Sequence, residues 1–183
     1  LGKVLNEYPT REEAKQIALP WEPTIEPLYR VIADPETGKN KAVRVPEFDL
    51  VVRDDDPVAP PLGVKPETRS LVTNEEMFDI AEALMKGEGS GKVLYETGGS
   101  LKGGRKVWLL LRFEEPFRIG GRSGTETIAY YGLQNAHDGS GAFRGQGTNV
   151  CIVCDNTSHM ADMDATAKGT EFVFRHTCLL YTS

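Results

Sequence analysis

The chain has 183 residues, enough for one domain of ordinary size with a substantial core. Hydrophobic residues make up 39% and charged residues 26%, which excludes a disordered chain, and no apolar run approaches the roughly 20 residues of a membrane-spanning helix. A net charge of −6 argues against a general nucleic-acid coat protein but leaves room for a local basic site.

In chain order, Thr10-Arg11-Glu12-Glu13 has the form of a capping box and predicts a short helix from Arg11 to Ala18, stopped by Pro20. An extended segment over Thr24 to Ile32 and a strand over Ala42 to Val45 flank the turn Asp34-Pro35-Glu36-Thr37-Gly38-Lys39. A further short strand is expected over Phe48 to Arg53, closed by Asp54-Asp55-Asp56-Pro57, and a brief one over Leu62 to Val64. Thr73-Asn74-Glu75-Glu76 is a second capping box. Behind it Met77, Ile80, Ala81 and Leu84 recur at helical spacing, giving an amphipathic helix to about Lys86. The centre reads as β-rich, with strands over Lys92 to Thr97, Lys106 to Phe113, Thr127 to Leu133 and Asn149 to Val153 between glycine-rich turns. A helix over Asn156 to Lys168 and a strand over Glu171 to His176 complete the expectation. Short strands and two to three helices without strict alternation indicate an α+β fold with an antiparallel or mixed sheet.

The last six residues, Cys178-Leu179-Leu180-Tyr181-Thr182-Ser183, coincide with one reading frame of the transposase mosaic end used in sequencing adapters. We therefore expect residues 178–183 to be translated adapter and residues 1–177 to form a single, incomplete domain. A genuine apolar strand after Phe172-Val173-Phe174 is the alternative. The chain opens Leu1-Gly2-Lys3 with no Met and no secretory signal, so a cytoplasmic location in a bacterial or archaeal host is expected.

Several stretches together carry a resemblance. They are Leu1 to Val4, Thr10 to Ala18, Trp21, Pro27-Leu28-Tyr29, Leu62-Gly63-Val64 with Asn74 and Phe78, and Tyr95 to Leu101 with Gly104-Arg105 and Val107-Trp108. The set closes with His137-Asp138-Gly139-Ser140, Cys154-Asp155-Asn156-Thr157 and Arg175-His176-Thr177. In this order they resemble the phage/plasmid-like family called domain of unknown function 932 (DUF932). Two positions depart from it: Thr68 stands where an aromatic is usual, and Asp155 where Gln is common. The resemblance implies an occurrence on phages, plasmids and other mobile elements. It brings neither an activity nor a set of catalytic residues.

Among stretches that carry chemistry, Leu101 to Arg122 holds Lys102, Arg105, Lys106, Arg112, Arg118 and Arg122 against Glu114 and Glu115. On a strand from Lys106 to Phe113 the side chains alternate. Val107, Leu109, Leu111 and Phe113 form a wholly apolar face that must be core. Lys106, Trp108, Leu110 and Arg112 form the other, as a nucleic-acid-facing sheet would, with cations on phosphates and Trp108 stacked on a base. The competing reading is a solvated sheet face with a partly packed Trp.

His137-Asp138-Gly139-Ser140 offers an acid/base pair and a nucleophile, yet Asp-Gly between two strands is explained by turn formation alone. Cys151-Ile152-Val153-Cys154 has metal-like spacing near His159, but no second pair completes a site, and residues three apart on a strand point to opposite faces. Lys86 to Val93 fails as a phosphate loop, because Val93 follows Lys92 and the order is helix then strand. The run Asp54-Asp55-Asp56 reads as a solvated turn in preference to a cation site.

The leading expectation is a binding module that holds single-stranded DNA in replication or recombination, with annealing proteins as a fold-level analogy. Phosphate contacts would come from Lys102, Arg105, Lys106, Arg112 and Arg118 and stacking from Trp108, in a homo-oligomer built through exposed strand edges. No cofactor, metal or membrane partner is expected. The alternatives are an enzyme acting on nucleic acid or a nucleotide through His137, Asp138 and His176, and a host-interaction protein without chemistry.

Overall fold

The computed structural model describes residues 2–5, 9–86, 92–115, 117–119, 125–148 and 171–174. The order is β1 (Lys3–Val4), α1 (Arg11–Ala18), β2 (Pro23–Ala33), β3 (Asn40–Arg53), β4 (Gly63–Pro66), α2 (Asn74–Met85), β5 (Val93–Leu101), a short 3-10 turn (Lys102–Gly104), β6 (Lys106–Phe113), β7 (Phe117–Ile119), β8 (Thr125–Thr127), β9 (Tyr130–Ala136), β10 (Phe143–Thr148) and β11 (Glu171–Phe174). Helices on antiparallel sheets make this an α+β fold in which sheet predominates.

Both helices begin where their capping boxes place them. Thr10 N–H donates to Glu13 Oε2 at 2.9 Å, and Thr73 N–H to Glu76 Oε2 at 2.8 Å, while each Thr hydroxyl accepts from the backbone of its Glu. Helix α1 ends as Leu19 N–H donates to Lys15 O, one residue before Pro20. Helix α2 buries Met77 and Ala81 of the expected stripe, with Ile80 and Leu84 partly buried against the same core, and adds Phe78, which the stripe did not include.

The main sheet has the order β1-β5-β6-β9-β10-β11, and every neighbouring pair is antiparallel. One face carries Tyr95, Val107, Leu109, Leu111, Leu133 and Phe143, and these pack with Ala14, Ala18, Leu19, Trp21, Met77 and Phe78 into the principal core. At roughly 1.5–3 kcal/mol for each large apolar side chain withdrawn from water, this layer is the main source of stability.

A smaller sheet, β2-β3-β4, is organised differently. Its base closes on itself with Asp54 N–H donating to Glu22 O, the rung below Pro23↔Arg53, and buried Val51 joins it to the principal core. Beyond Pro27↔Asp49 the register shifts: β3 takes the five steps from Arg44 to Asp49 where β2 takes the two from Pro27 to Tyr29. Arg44 fills the bulge, donating to Val45 O at 2.7 Å, Leu28 O at 3.3 Å and Phe48 O, and pairing with Asp49 and Glu67 at 2.8 Å each. Beyond it the hairpin is two-stranded up to the Asp34 turn, because β4 reaches only Phe48 to Val51.

Several boundaries differ from expectation. Residues 42–45 and 48–53 belong to one bulged strand, β3, and the strand expected to end at Thr97 continues to Leu101 through a bulge between Tyr95 and Thr97. Thr127 closes β8, and Tyr130 opens β9 after a break. Strand β10 was not anticipated, because Gly145 and Gly147 dilute its pattern. The strand over 149–153 and the helix over 156–168 lie outside the described residues. No helix among the described residues is long and apolar enough to cross a membrane.

Candidate nucleic-acid interface

The basic stretch is distributed by the turn that joins β5 to β6. Lys102 adopts φ +53°, a left-handed conformation uncommon for a side-chain-bearing residue, and starts the reversal. Lys102 and Arg105 are exposed and Lys106 is half-buried. Arg105 is tied in place through its backbone, its carbonyl accepting from His137 N–H at 2.8 Å. Lys106 opens β6 opposite Ala136 on β9. Three cations therefore stand at one end of the main sheet, beside the turn His137 to Ser140.

That turn supplies one counter-charge. Asp138 Oδ1 accepts from Ser140 N–H at 2.8 Å, an Asx-type turn. Partial burial alone would push the Asp138 carboxyl up, but hydrogen bonds from Ser140 and the field of Lys106 and Arg105 outweigh it, and the net shift is downward. Gly139 has φ +80°, a conformation that favours glycine, and Arg69 Nη1 lies 2.6 Å from where its Cβ would stand, so Arg69 joins the same rim. Among the described residues Lys102, Arg105, Lys106 and Arg69 enter no salt bridge, whereas Arg11, Lys15, Arg44, Arg53, Lys65, Lys86, Lys92 and Arg112 all do.

Trp108 and Arg112 are placed otherwise than expected. The face Lys106/Trp108/Leu110/Arg112 is not an open platform: Trp108 is 4% exposed and Leu110 0%, packed with Leu101 and Tyr130 into a second apolar cluster. The N-terminal segment closes over the indole, since a Cβ on Gly2 would lie 2.5 Å from Trp108 Cζ2. An aromatic ring so covered offers no π-face to a base, so the expected stacking role is corrected to a packing role. Arg112 is half-buried with its Nη1 3.9 Å from Glu96 Oε2, which reduces its charge as a phosphate contact. Arg118 stands opposite Glu126 in the β7–β8 ribbon. Its side chain lies outside the described residues.

His137 and Asp138 diverge. The His137 ring, 4% exposed, points inward with Nε2 3.1 Å from Asn74 Oδ1 and meets the Trp21 ring edge-on at 5.7 Å between centroids. Asn74 Nδ2 donates to Trp21 O at 2.7 Å, which orients the amide so that His137 Nε2 carries the proton. Asn74 N–H donates to Glu22 Oε2 at 2.9 Å, and Asn135 Nδ2 to Val72 O at 2.9 Å. The histidine thus clamps the start of α2 to the end of β9, while the Asp138 carboxylate turns to the cationic rim. His176, Cys151, Cys154 and His159 lie outside the described residues. Sequence reasoning gave Asn74 a place in the capping box and in the family resemblance but no partner for its side chain, and it missed Arg69, which carried no signal.

The acidic run Asp54-Asp55-Asp56 is spent on local bonds. Asp54 Oδ1 accepts from Glu22 N–H, Asp55 pairs with Arg53 at 2.7 Å, and Asp56 Oδ1 accepts from Val58 N–H. A cleft of about 390 Å³ lined by Arg11, Lys15, Trp21, Glu22, Asp54 and Glu75 is likewise internally paired. Lys15 bonds Glu22 at 2.9 Å and Glu75, and Arg11 pairs with Glu75 and with Asp79 at 2.6 Å.

A protein-family model described as "Domain of unknown function (DUF932)" matches residues 61–180. No curated protein and no solved structure matches the chain.

Proposed function

The chain belongs to the DUF932 family, and from that premise we propose a binding module that holds single-stranded DNA by its phosphates at one end of the six-stranded sheet. The observation that carries this reading is the cluster of Lys102, Arg105 and Lys106, outside every salt bridge among the described residues while most other cations are neutralised. Phosphate oxygens would replace water around these groups and release condensed counterions from the strand. With Trp108 inside the protein, affinity rests on charge without base stacking and is insensitive to base identity. The inward His137 ring supports a binding role over acid–base chemistry. From the phage/plasmid-like resemblance we infer a setting in replication or recombination of mobile elements.

Binding to an oligothymidylate across a salt series tests this. Three phosphate contacts give a log–log slope of about −2, at roughly 0.7 per contact on a single strand. Lys102→Ala/Arg105→Ala should flatten that slope by more than half, and Trp108→Phe should leave it unchanged. Absence of binding at low salt, or a slope indifferent to the double substitution, would remove the proposal.

A further inference from the structure

We propose that β2 pairs antiparallel with β2 of a second copy of this chain, across a twofold axis at Leu28. The starting point is the small sheet, in which β2 is an edge strand among the described residues. It is long (Pro23 to Ala33), and nearly all its side chains are exposed, with Tyr29 at 55% and Val31 at 68%. Beyond the bulge the hairpin has no third strand, and a two-stranded ribbon of this kind is marginal in water on its own.

The direction of the backbone groups follows from two bonds. Asp54 N–H donates to Glu22 O at the base and Asp34 N–H to Lys39 O at the tip, so even-numbered residues of β2 bond to β3. The Leu28 carbonyl, taken by Arg44, fits the same parity. Ile25, Pro27, Tyr29, Val31 and Ala33 therefore turn their backbone groups outward. In an antiparallel pair centred on Leu28, Ile25 exchanges both bonds with Val31 of the other copy, and Tyr29 N–H donates to its Pro27 O. Pro27 returns no N–H, so that row is held by one bond instead of two.

The side chains are self-complementary in the same register. Glu26 falls opposite Arg30 of the second copy, Ile25 opposite Val31, Thr24 opposite Ile32 and Pro27 opposite Tyr29. The Glu26–Arg30 rows are non-hydrogen-bonded ones, where side chains come closest. Neither residue enters an ion pair within its own chain among the described residues, so the twofold supplies two salt bridges and apolar contacts on either side of them. Moving the register by one residue would set Glu26 against Tyr29 and Ile25 against Arg30, and the match would be lost.

Sedimentation velocity over a concentration series tests this on the full chain. The expected result is a dimer that dissociates on dilution. Glu26→Arg and Arg30→Glu, both at exposed positions, each convert the attractive rows to repulsive ones and weaken the dimer by about tenfold or more. Combining them restores it. Leu28→Cys should cross-link to itself on oxidation, because a non-hydrogen-bonded pair brings Cα atoms to about 4.5 Å, within disulfide range. A chain that stays monomeric throughout, or a dimer indifferent to both single charge reversals, would overturn the proposal. A monomer would leave the edge for a strand of a different protein.

Discussion

The two larger sheets of this molecule treat water in opposite ways. The six-stranded sheet buries both of its faces: Val107, Leu109 and Leu111 on one side of β6, Trp108 and Leu110 on the other. The three-stranded sheet, with a comparably apolar sequence, buries little beyond Val51 and leaves Ile25, Tyr29, Val31, Phe48 and Val64 exposed. A central strand with neighbours on both edges and layers on both faces is a structural element. An edge strand carried out on a bulged hairpin leaves one row of backbone groups and most of its side chains in water. What a strand does here depends on its neighbours more than on its own alternation of residues.

The contrast can be broken most severely at Trp108. Trp108→Ala opens a cavity in the second cluster and should cost about 3–5 kcal/mol in chemical denaturation. A stacking residue on an open face would lose almost nothing. Next is the clamp between α2 and β9: Asn74→Ala strands the Trp21 carbonyl and the His137 N–H, at about 1–3 kcal/mol. A smaller effect separates the salt-bridged cleft from these buried contacts. The hydrogen-bonded Lys15 ammonium holds Glu75 below the ordinary carboxylate range, against partial desolvation. A lowered folded-state pKa contributes stability above the unfolded value of about 4.3, and that contribution is lost as pH falls through the lowered one. Glu75→Gln should therefore reduce stability at neutral pH by about 0.2–1 kcal/mol, solvent screening included, and by less in acid. Smallest of all is Val31→Ala, within about 0.5 kcal/mol in dilute protein, because the arm contributes little to the monomer.

Much of the fold was legible because local chemistry determines it. Thr10 with Glu13 and Thr73 with Glu76 define helix starts through bonds that are themselves local, and Lys106 to Phe113 forms β6 at the bounds its apolar run predicts. Strand β10 was illegible because Gly145 and Gly147 contribute no pattern. The Arg44-filled bulge was read as a gap between strands because Pro46 and Glu47, at φ +66°, interrupt the alternation without ending the strand.

The candidate site was legible in part. Lys102, Arg105 and Lys106 lie together because they are adjacent in sequence. Trp108 was misplaced because alternation separates two faces without saying which has a second layer, although Leu110, an aliphatic residue at the centre of the supposedly wet face, was the available clue. His137 beside Asp138 offered a pair in sequence, but the Asp-Gly turn explained the stretch without one, and the turn is what forms. Successive residues at the end of a strand point to opposite sides, and here one enters the core while the other joins the rim.

The most direct test of the closed second face is tryptophan accessibility, since Trp108 and Trp21 are the two tryptophans and both are buried. Acrylamide quenching of the native chain should be shallow and uniform, with blue-shifted emission that saturating oligothymidylate leaves unchanged. A fraction near half of the emission that quenches readily, or that DNA protects, would place Trp108 on an open platform and contradict the account.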